Sequence, residues 1–416
     1  GLYHTRFCVP REWNDRNISL FFHGVNSAFY VWVNDRFIGY SQDSFLGGEF
    51  DITNVVKYNS EGRSGLGSRG ENVVAVMVIR WSDGVYLEDQ DHWYLSGIFR
   101  SVELISKPQI SIGDVVLTPR YDNGVWHLDC LVYVHGLESW EMREQENEVK
   151  IVLHNKQKKK KVQLDMIFTG GQTTSATGAY CPLELTFFLS GQDTPLLWSD
   201  ECPNLYDVDV MLSTFYTARR RNETFVQFER FKVGFRRIQI KDGQVHLNGK
   251  PVCIRGVNRH EHFSDIGKCF DYDRCREDII LLKKYNFNAI RTCHYPNDIR
   301  FYDLCDELGM LVCDEANVET HGDAPLTQTL FESILGPHSR LANDPNWRRA
   351  ILARSRRMVY RDRNHACIIF WSIGNESGTG TNLAACYDWI KAEDWSRPVQ
   401  YEGNGSPADH SDIVCP

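Results

Sequence analysis

The sequence lacks any apolar run of about 18 residues, the length a membrane-spanning helix needs, so no segment reads as a membrane anchor. It also lacks an excess of positive charge. Fifty-five acidic side chains outnumber 46 basic ones, leaving a formal net charge of −9, and that balance argues against a nucleic-acid partner. The one basic cluster, Lys158 to Lys161, lies between two alternating segments and reads as a solvated hairpin tip. No two of the 13 cysteines stand at CxxC spacing. Their number is odd, and Cys253, Cys313 and Cys367 fall inside apolar runs, where a thiol serves as a small hydrophobe. This usage suits a reducing, cytoplasmic setting better than a disulfide framework. His260-Glu261-His262 lacks the HExxH spacing that puts two imidazoles on one helical face, so it offers no helical zinc site. No Met and no signal-like apolar stretch stands at Gly1. The chain stops at Cys415-Pro416, just after Asp412-Ile413-Val414, which reads as a strand beginning. Both ends read as cut.

What is present fits a globular protein. Of 416 residues, 42% are hydrophobic and 12% aromatic, enough for a substantial core, and the length implies two or three domains. Residues 1–108 read as a β jelly-roll sandwich: Leu20-Phe21-Phe22, Phe29–Val33, Phe37–Tyr40 and Val73–Arg80 are short aromatic and β-branched strands. Turn signals such as Asn34-Asp35 separate them, and Ser60–Glu71 reads as a Gly/Ser/Arg-rich loop. Residues 109–235 give a second β set, with strands expected at Val115–Leu117, Trp126–Val134, Lys150–Leu153, Leu183–Leu189 and Tyr206–Leu212. An immunoglobulin-like sandwich fits, acting as a spacer.

From residue 236 the grammar changes. Apolar runs of strand length (Val252–Arg255, Ala289–Arg291, Leu311–Cys313, Ile368–Trp371, Val399–Tyr401) alternate with helical patterns such as Arg274–Tyr285, Asp298–Leu308 and Arg348–Arg361. Alternating βα units imply a parallel sheet, and polar residues gather at each strand's C-terminal end, where a (β/α)8 TIM barrel builds its site. Five units and the start of a sixth make residues 236–416 a truncated barrel of a multidomain protein.

The strand ends form a series: Asn258, Arg259, His260 and Glu261; Arg291, His294, Tyr295 and Asn297; Asp314, Glu315, Asn317, Glu319 and His321; Asn375 and Glu376; Tyr401 and Glu402. A lone member is more often a structural hydrogen-bonding group. Five successive ends of this kind are costly unless they face a shared polar cavity, and such a cavity points to acid/base chemistry on a polar substrate, of which sugars are the natural class. Glu376 is the sharpest candidate for a general acid, since it follows an apolar strand and has carboxylates for company. Asn375 beside it can hold a sugar hydroxyl. Glu319 and His321, two apart on an extended stretch, can point the same way and hold a divalent cation, Mg2+ before others. The pair reads equally as an ordinary salt bridge.

At these motifs the chain resembles the β-galactosidases of glycoside hydrolase family 2, the bacterial lactose-cleaving type. The matching stretches are Trp81-Ser82-Asp83-Gly84 with Leu87-Glu88-Asp89-Gln90-Asp91; Arg255-Gly256-Val257-Asn258-Arg259-His260-Glu261; His294-Tyr295-Pro296-Asn297; Asp314-Glu315-Ala316-Asn317 with Glu319-Thr320-His321-Gly322; Arg361-Asp362-Arg363-Asn364-His365; and Gly374-Asn375-Glu376-Ser377-Gly378. The resemblance implies a five-domain enzyme of which the first three domains are represented here. It implies that Glu376 is the acid/base and a ligand of an active-site Mg2+, with Glu319 and His321 as the other protein ligands. It also implies that Asp91 touches galactose and a bound Na+, and that His260, His294 and Asn375 contact the sugar. The family's nucleophilic Glu is expected beyond Pro416, because neither Glu315 nor Glu402 matches its motif, and the 416 residues alone are expected to be inactive. Asp323–Asn343 is longer than in familiar bacterial members. A homo-oligomer is implied for the full-length protein.

Two other readings stay open. β-Glucuronidases and β-mannosidases share the scaffold but tend to follow Asn-Glu with Pro, where this chain has Ser377-Gly378. If the gene ends at Pro416, a non-catalytic carbohydrate-binding protein or pseudoenzyme is the alternative.

Overall fold

The computed structural model describes residues 1–59, 70–137, 146–155, 160–168, 182–215, 224–321, 340–402 and 410–415. Most of the loops expected at 60–71 and 323–343, and part of the lysine cluster at 158–161, lie outside the described residues.

The first unit is two packed antiparallel sheets. One runs in the order Leu2–Cys8, Glu71–Ile79, Ala28–Val33, Arg36–Gln42, the other Gly48–Asp51, Asn17–Phe22, Val102–Lys107. Alternation builds it: in Glu71–Ile79 the residues Val74, Val76 and Val78 turn inward and meet Phe22, Phe29, Val31 and Phe50. Asn34 and Asp35 both take positive φ, 51° and 64°, as a two-residue hairpin turn requires. The second unit pairs Ser111–Asp122, Val125–His135 and Leu183–Leu189 in one sheet. Its other sheet holds Lys160–Phe168, Asn147–Asn155, Tyr206–Phe215 and Thr224–Val233, over a separate core that includes Trp126, Ile151 and Val210.

A small antiparallel sheet, Ile238–Lys241, Gln244–Leu247 and Lys250–Pro251, leads into the third unit. Here one expectation is corrected. Val252–Arg255 is not a barrel strand: the Val252 N–H bonds the Val245 carbonyl at 2.9 Å and so finishes this hairpin array. The two-residue Asp242-Gly243 and Asn248-Gly249 turns, all at positive φ, are its sequence signature. The first barrel strand, β1, is Gly256–Asn258. Then follow α1 (Tyr272–Lys284), β2 (Ala289–Arg291), α2 (Ile299–Leu308), β3 (Leu311–Glu315), α3 (Pro345–Asp362), β4 (Ile368–Ser372), α4 (Thr381–Glu393) and β5 (Val399–Gln400). The five strands pair in parallel in chain order. Ile413 makes a parallel bridge to Gln400, so the strand expected at Asp412-Ile413-Val414 begins where a sixth belongs. All five residues of β4 are buried, which is why it reads as an unbroken apolar run. Asp271, Asp298 and Asp344 cap α1, α2 and α3 with their carboxylates, each satisfying a free N–H of the first turn.

The arginines of α3 and the residues after it tie the units together. Arg354 pairs with buried Glu88 at 2.8 Å. Arg357 donates to the carbonyls of Gln42 and Gly47 at 3.1 and 2.7 Å. Arg363 pairs with Asp114, and the Asn364 amide exchanges hydrogen bonds with the backbone of Val115 and Leu117. The motif Arg361–His365 thus marks a joint between units, not the cavity.

Candidate active site

Three backbone segments meet where the expected site residues gather. The Glu319 N–H bonds the Leu87 carbonyl at 2.9 Å, and the Asp89 N–H returns a bond to the Glu319 carbonyl at 3.2 Å. On the other side the Asn375 N–H bonds the Val318 carbonyl at 2.9 Å. A loop of the first sandwich, the end of β3 and the end of β4 are therefore stitched edge to edge. Gln90 fixes the loop further, donating to Asn317 Oδ1 at 2.9 Å and the His294 carbonyl at 3.3 Å. Gly374 makes the approach possible: its φ is +147°, and a Cβ there would stand 2.6 Å from the Val318 carbonyl oxygen. The loop delivers Asp91 to an open depression of about 700 Å3 lined by Asp89–Tyr94 and His321.

Glu319, His321 and Glu376 come together as expected. One ligand atom of each lies within 4.8 Å of the others, and His321 Nδ1 is 2.6 Å from Glu376 Oε2. Glu319 is buried and its Oε2 has no hydrogen-bond partner. Burial, then the nearby Glu376, Glu315 and Asp91 carboxylates, push Glu319 up to about 8. A buried, negatively framed carboxylate with an orphaned oxygen is short of a positive charge, so the donor set fits a hard divalent cation. Glu376 departs from its expected setting. Its side chain is 44% exposed, because the chain turns out of β4 through Gly374 and through Glu376 itself, at φ +33°. Its N–H is anchored on Glu402 Oε1 at 2.7 Å.

His294 and His260 sit beside this group, their rings edge to face at 5.8 Å. His294 Nδ1 bonds Glu315 Oε1 at 2.6 Å, while Arg291 and Ser372 hold Glu315 Oε2 at 2.6 and 2.5 Å. Burial alone would raise Glu315, but the Arg291 charge and the His294 bond outweigh it and hold it low. Arg291 also reaches Asn375 Oδ1 at 2.9 Å. Glu315 is therefore a fixed anion that orients His294, and both its oxygens are engaged.

Several strand-end residues do not face the cavity. Asp314 points the other way, accepting from Tyr302 Oη at 2.5 Å. Glu261 pairs with Arg100 of the first sandwich at 2.8 Å, both side chains 1% exposed. Asn317 binds Asp43 at 2.8 Å, Arg259 pairs with Asp278 on α1, and Tyr295 stacks on Phe45 at 3.7 Å. Two residues near the site carry no motif signal. His92, with its ring 5.7 Å from that of His260, is pushed down to about 3 by burial and then by the Lys268 cation. Lys268 is itself buried and lowered to about 8 for want of water. Only its place beside Asp91 could have pointed to His92.

The model of the TIM barrel domain of glycosyl hydrolases family 2 matches residues 238–416, and that of the family's sugar binding domain matches residues 1–108. A β-galactosidase of Vibrio cholerae is 42% identical over 416 residues, covering 100% of this chain and 37% of the relative. One of Vibrio vulnificus is 43% identical over 422 residues, with the same coverage. The chain thus spans about 37% of the length of these relatives. Among solved structures, a β-D-glucuronidase of Dictyoglomus thermophilum superposes with a TM-score of 0.74 at 21% identity, over 99% of this chain and 66% of that one. A Ruminococcus gnavus β-glucuronidase gives 0.76 at 22%, over 99% and 65%. At such identity these structures speak for the fold alone.

Proposed function

Since the chain belongs to glycosyl hydrolase family 2, matched in both its barrel and its first sandwich, we propose that the protein is a β-galactosidase that removes terminal non-reducing β-D-galactose from galactosides such as lactose, with retention. The observation that carries the reading is the convergence of Glu376, Glu319 and His321 beside the Asp91 loop. The β-galactosidase relatives along the whole chain support the choice of sugar.

In this reading Glu376 protonates the glycosidic oxygen as the bond to the aglycone breaks, then takes a proton from the water that releases galactose. Its open position suits a group that must meet both aglycone and water. His260, His294 and Asn375 hold the sugar, with Glu315 and Arg291 fixing His294 and Asn375 from behind. Retention requires a second carboxyl group about 5–5.5 Å from the first. Both oxygens of Glu315 are engaged, and neither it nor Glu402 matches the family's nucleophile motif; the family resemblance implies a nucleophilic Glu outside these residues. Glu319, His321 and Glu376 would hold Mg2+, which supplies a fixed positive charge beside the sugar, and Asp91 would face Na+. The full-length protein would work as a homo-oligomer in the cytoplasm. Among the described residues no disulfide joins any of the twelve cysteines, and no helix is long and apolar enough to cross a membrane.

A panel of nitrophenyl glycosides, followed by NMR of the first anomer released, tests the reading in the full-length protein. Galactoside turnover with β-galactose formed first is expected. Preference for a glucuronide, or an α-product, would overturn it.

The ion has a separate test in stability. Glu319 carries a folded value of about 8 against 4.5 unfolded. Without an ion the native state keeps a proton that the unfolded chain releases, so stability falls as pH rises from about 4.5 to 8 and levels off above. Mg2+ displaces that proton, and its stabilisation is expected to be greatest near pH 8. Thermal melts at pH 5 and pH 8, with and without Mg2+, check this. Glu319→Gln should flatten the slope and abolish the Mg2+ shift; an undiminished shift would remove Glu319 from the ligand set.

A further inference from the structure

The same mouth of the barrel holds a second trio of donors, of softer chemistry. His260 lies two residues past β1, Cys293 and His294 two and three past β2. One ligand atom of each lies within 4.8 Å of the others. We infer that His260, Cys293 and His294 form a binding site for a thiophilic divalent transition ion, Zn2+ above all, distinct from the oxygen-rich Glu319–His321–Glu376 group.

Donor chemistry argues for this first. Imidazole and thiolate select zinc, cobalt and copper, whereas carboxylates select magnesium. Three protein ligands leave a fourth tetrahedral position for water. Zinc bonds of 2.0–2.3 Å place neighbouring ligands about 3.5 Å apart, so the trio needs to close by about 1 Å, within reach of small side-chain rotations.

The surroundings are already arranged as for metal ligands. Glu315 is a buried anion, so the His294 Nδ1–H donates to it at 2.6 Å and Nε2 keeps its lone pair. A carboxylate behind a histidine in this way fixes tautomer and ring orientation and strengthens the imidazole as a ligand. His260 has Nδ1 at 3.3 Å from Tyr295 Oη, which leaves its Nε2. Burial and then the neighbouring His294 lower His260 from its ordinary value, which favours the neutral form that can coordinate. Burial pushes the Cys293 thiol up to about 12, so without an ion it stays protonated. Coordination displaces that proton, which leaves to solvent as the sulfur–metal bond forms. Two cations bear on the trio: Arg291 is neutralised by Glu315 at 2.6 Å, and buried Lys268 acts on His260 as it does on neighbouring His92.

Because His260 and His294 are also the proposed sugar contacts, an ion here and a galactoside exclude each other. The test of the ion does not depend on hydrolysis. Co2+ is titrated into metal-free protein in excess Mg2+, which occupies the carboxylate group. One equivalent should raise a thiolate-to-cobalt charge-transfer band in the near ultraviolet together with tetrahedral visible bands, and Zn2+ should bleach both. Cys293→Ser should abolish the near-ultraviolet band, and His294→Ala should weaken Co2+ binding at least tenfold. Cys293→Ala serves if the Ser variant melts early, and circular dichroism checks the fold of each. No thiolate band in the folded wild type would overturn the inference. So would a band that survives loss of Cys293, which would place the ion on another cysteine.

Discussion

Glu376→Gln in the full-length protein is expected to lower kcat/KM for lactose by about 10²- to 10⁴-fold, the range a positioned proton donor contributes. The amide keeps the size of the carboxyl and can still meet His321, now 2.6 Å away, and the Glu402 anchor on the backbone is untouched. What is lost is the proton. The glucose of lactose would leave as a sugar alkoxide and needs protonation, so the first step on lactose suffers most. A dinitrophenyl aglycone leaves unaided, so for it galactosyl transfer to the enzyme survives and hydrolysis, deprived of its base, becomes limiting. Azide needs no base; it should restore turnover of the activated substrate and give β-galactosyl azide. Kinetics across aglycones of graded acidity, with and without azide, measure this. An equal loss for every aglycone with no azide effect would exclude Glu376 as acid/base. If that loss were also reversed by high Mg2+, Glu376 would be an ion ligand only.

The sequence carried the five-strand parallel architecture plainly, since βα alternation from Ala289 onward survives almost residue for residue in β2 to β5. It was less legible at β1, where an apolar run belonged to a hairpin array and the strand itself is the short Gly256–Asn258. The site was legible as a list of strand ends but not as a set of directions. Period-two alternation sends Asp314 and Glu315 to opposite faces, and only the second reaches the cavity side. Glu261, Asn317 and Arg259 look like site residues in the sequence for a different reason: they are polar groups at strand ends that another unit or helix claims. Nothing in the chain order tells that Arg100 waits for Glu261, 161 residues on, or that Leu87 and Glu319 share a backbone hydrogen bond. His92 and Lys268 escape for the same cause. Their environment is made by folding.

Arg100→Met should cost about 3–5 kcal/mol of stability, because removing one partner of a buried ion pair strands the other charge. Arg100 and Glu261 are each 1% exposed and meet at 2.8 Å. Arg100 also donates to the carbonyls of Phe45 at 2.6 Å and Pro296 at 3.1 Å, with its guanidinium over the Phe45 and Phe99 rings. Met fills much of the volume and keeps the aromatic packing, so the loss isolates charge and hydrogen bonds. Glu261→Gln in the Met background removes the stranded anion while leaving an acceptor for the Asp298 N–H, now 3.0 Å from Glu261. The double variant should therefore be more stable than Arg100→Met alone, a non-additivity expected of side chains in direct contact. Urea unfolding followed by tryptophan fluorescence reads both numbers, and strictly additive losses would show that the pair does not act as a unit. The consequence for function lies in geometry. The strand pairing of Leu87–Asp89 with Glu319 holds Asp91 at the cavity, and the Arg100 pair is a buried clamp that joins the two units. Loosening it should raise KM for galactosides several-fold more than it lowers kcat, since the proton donor on β4 stays where it is while the sugar contact on the loop drifts.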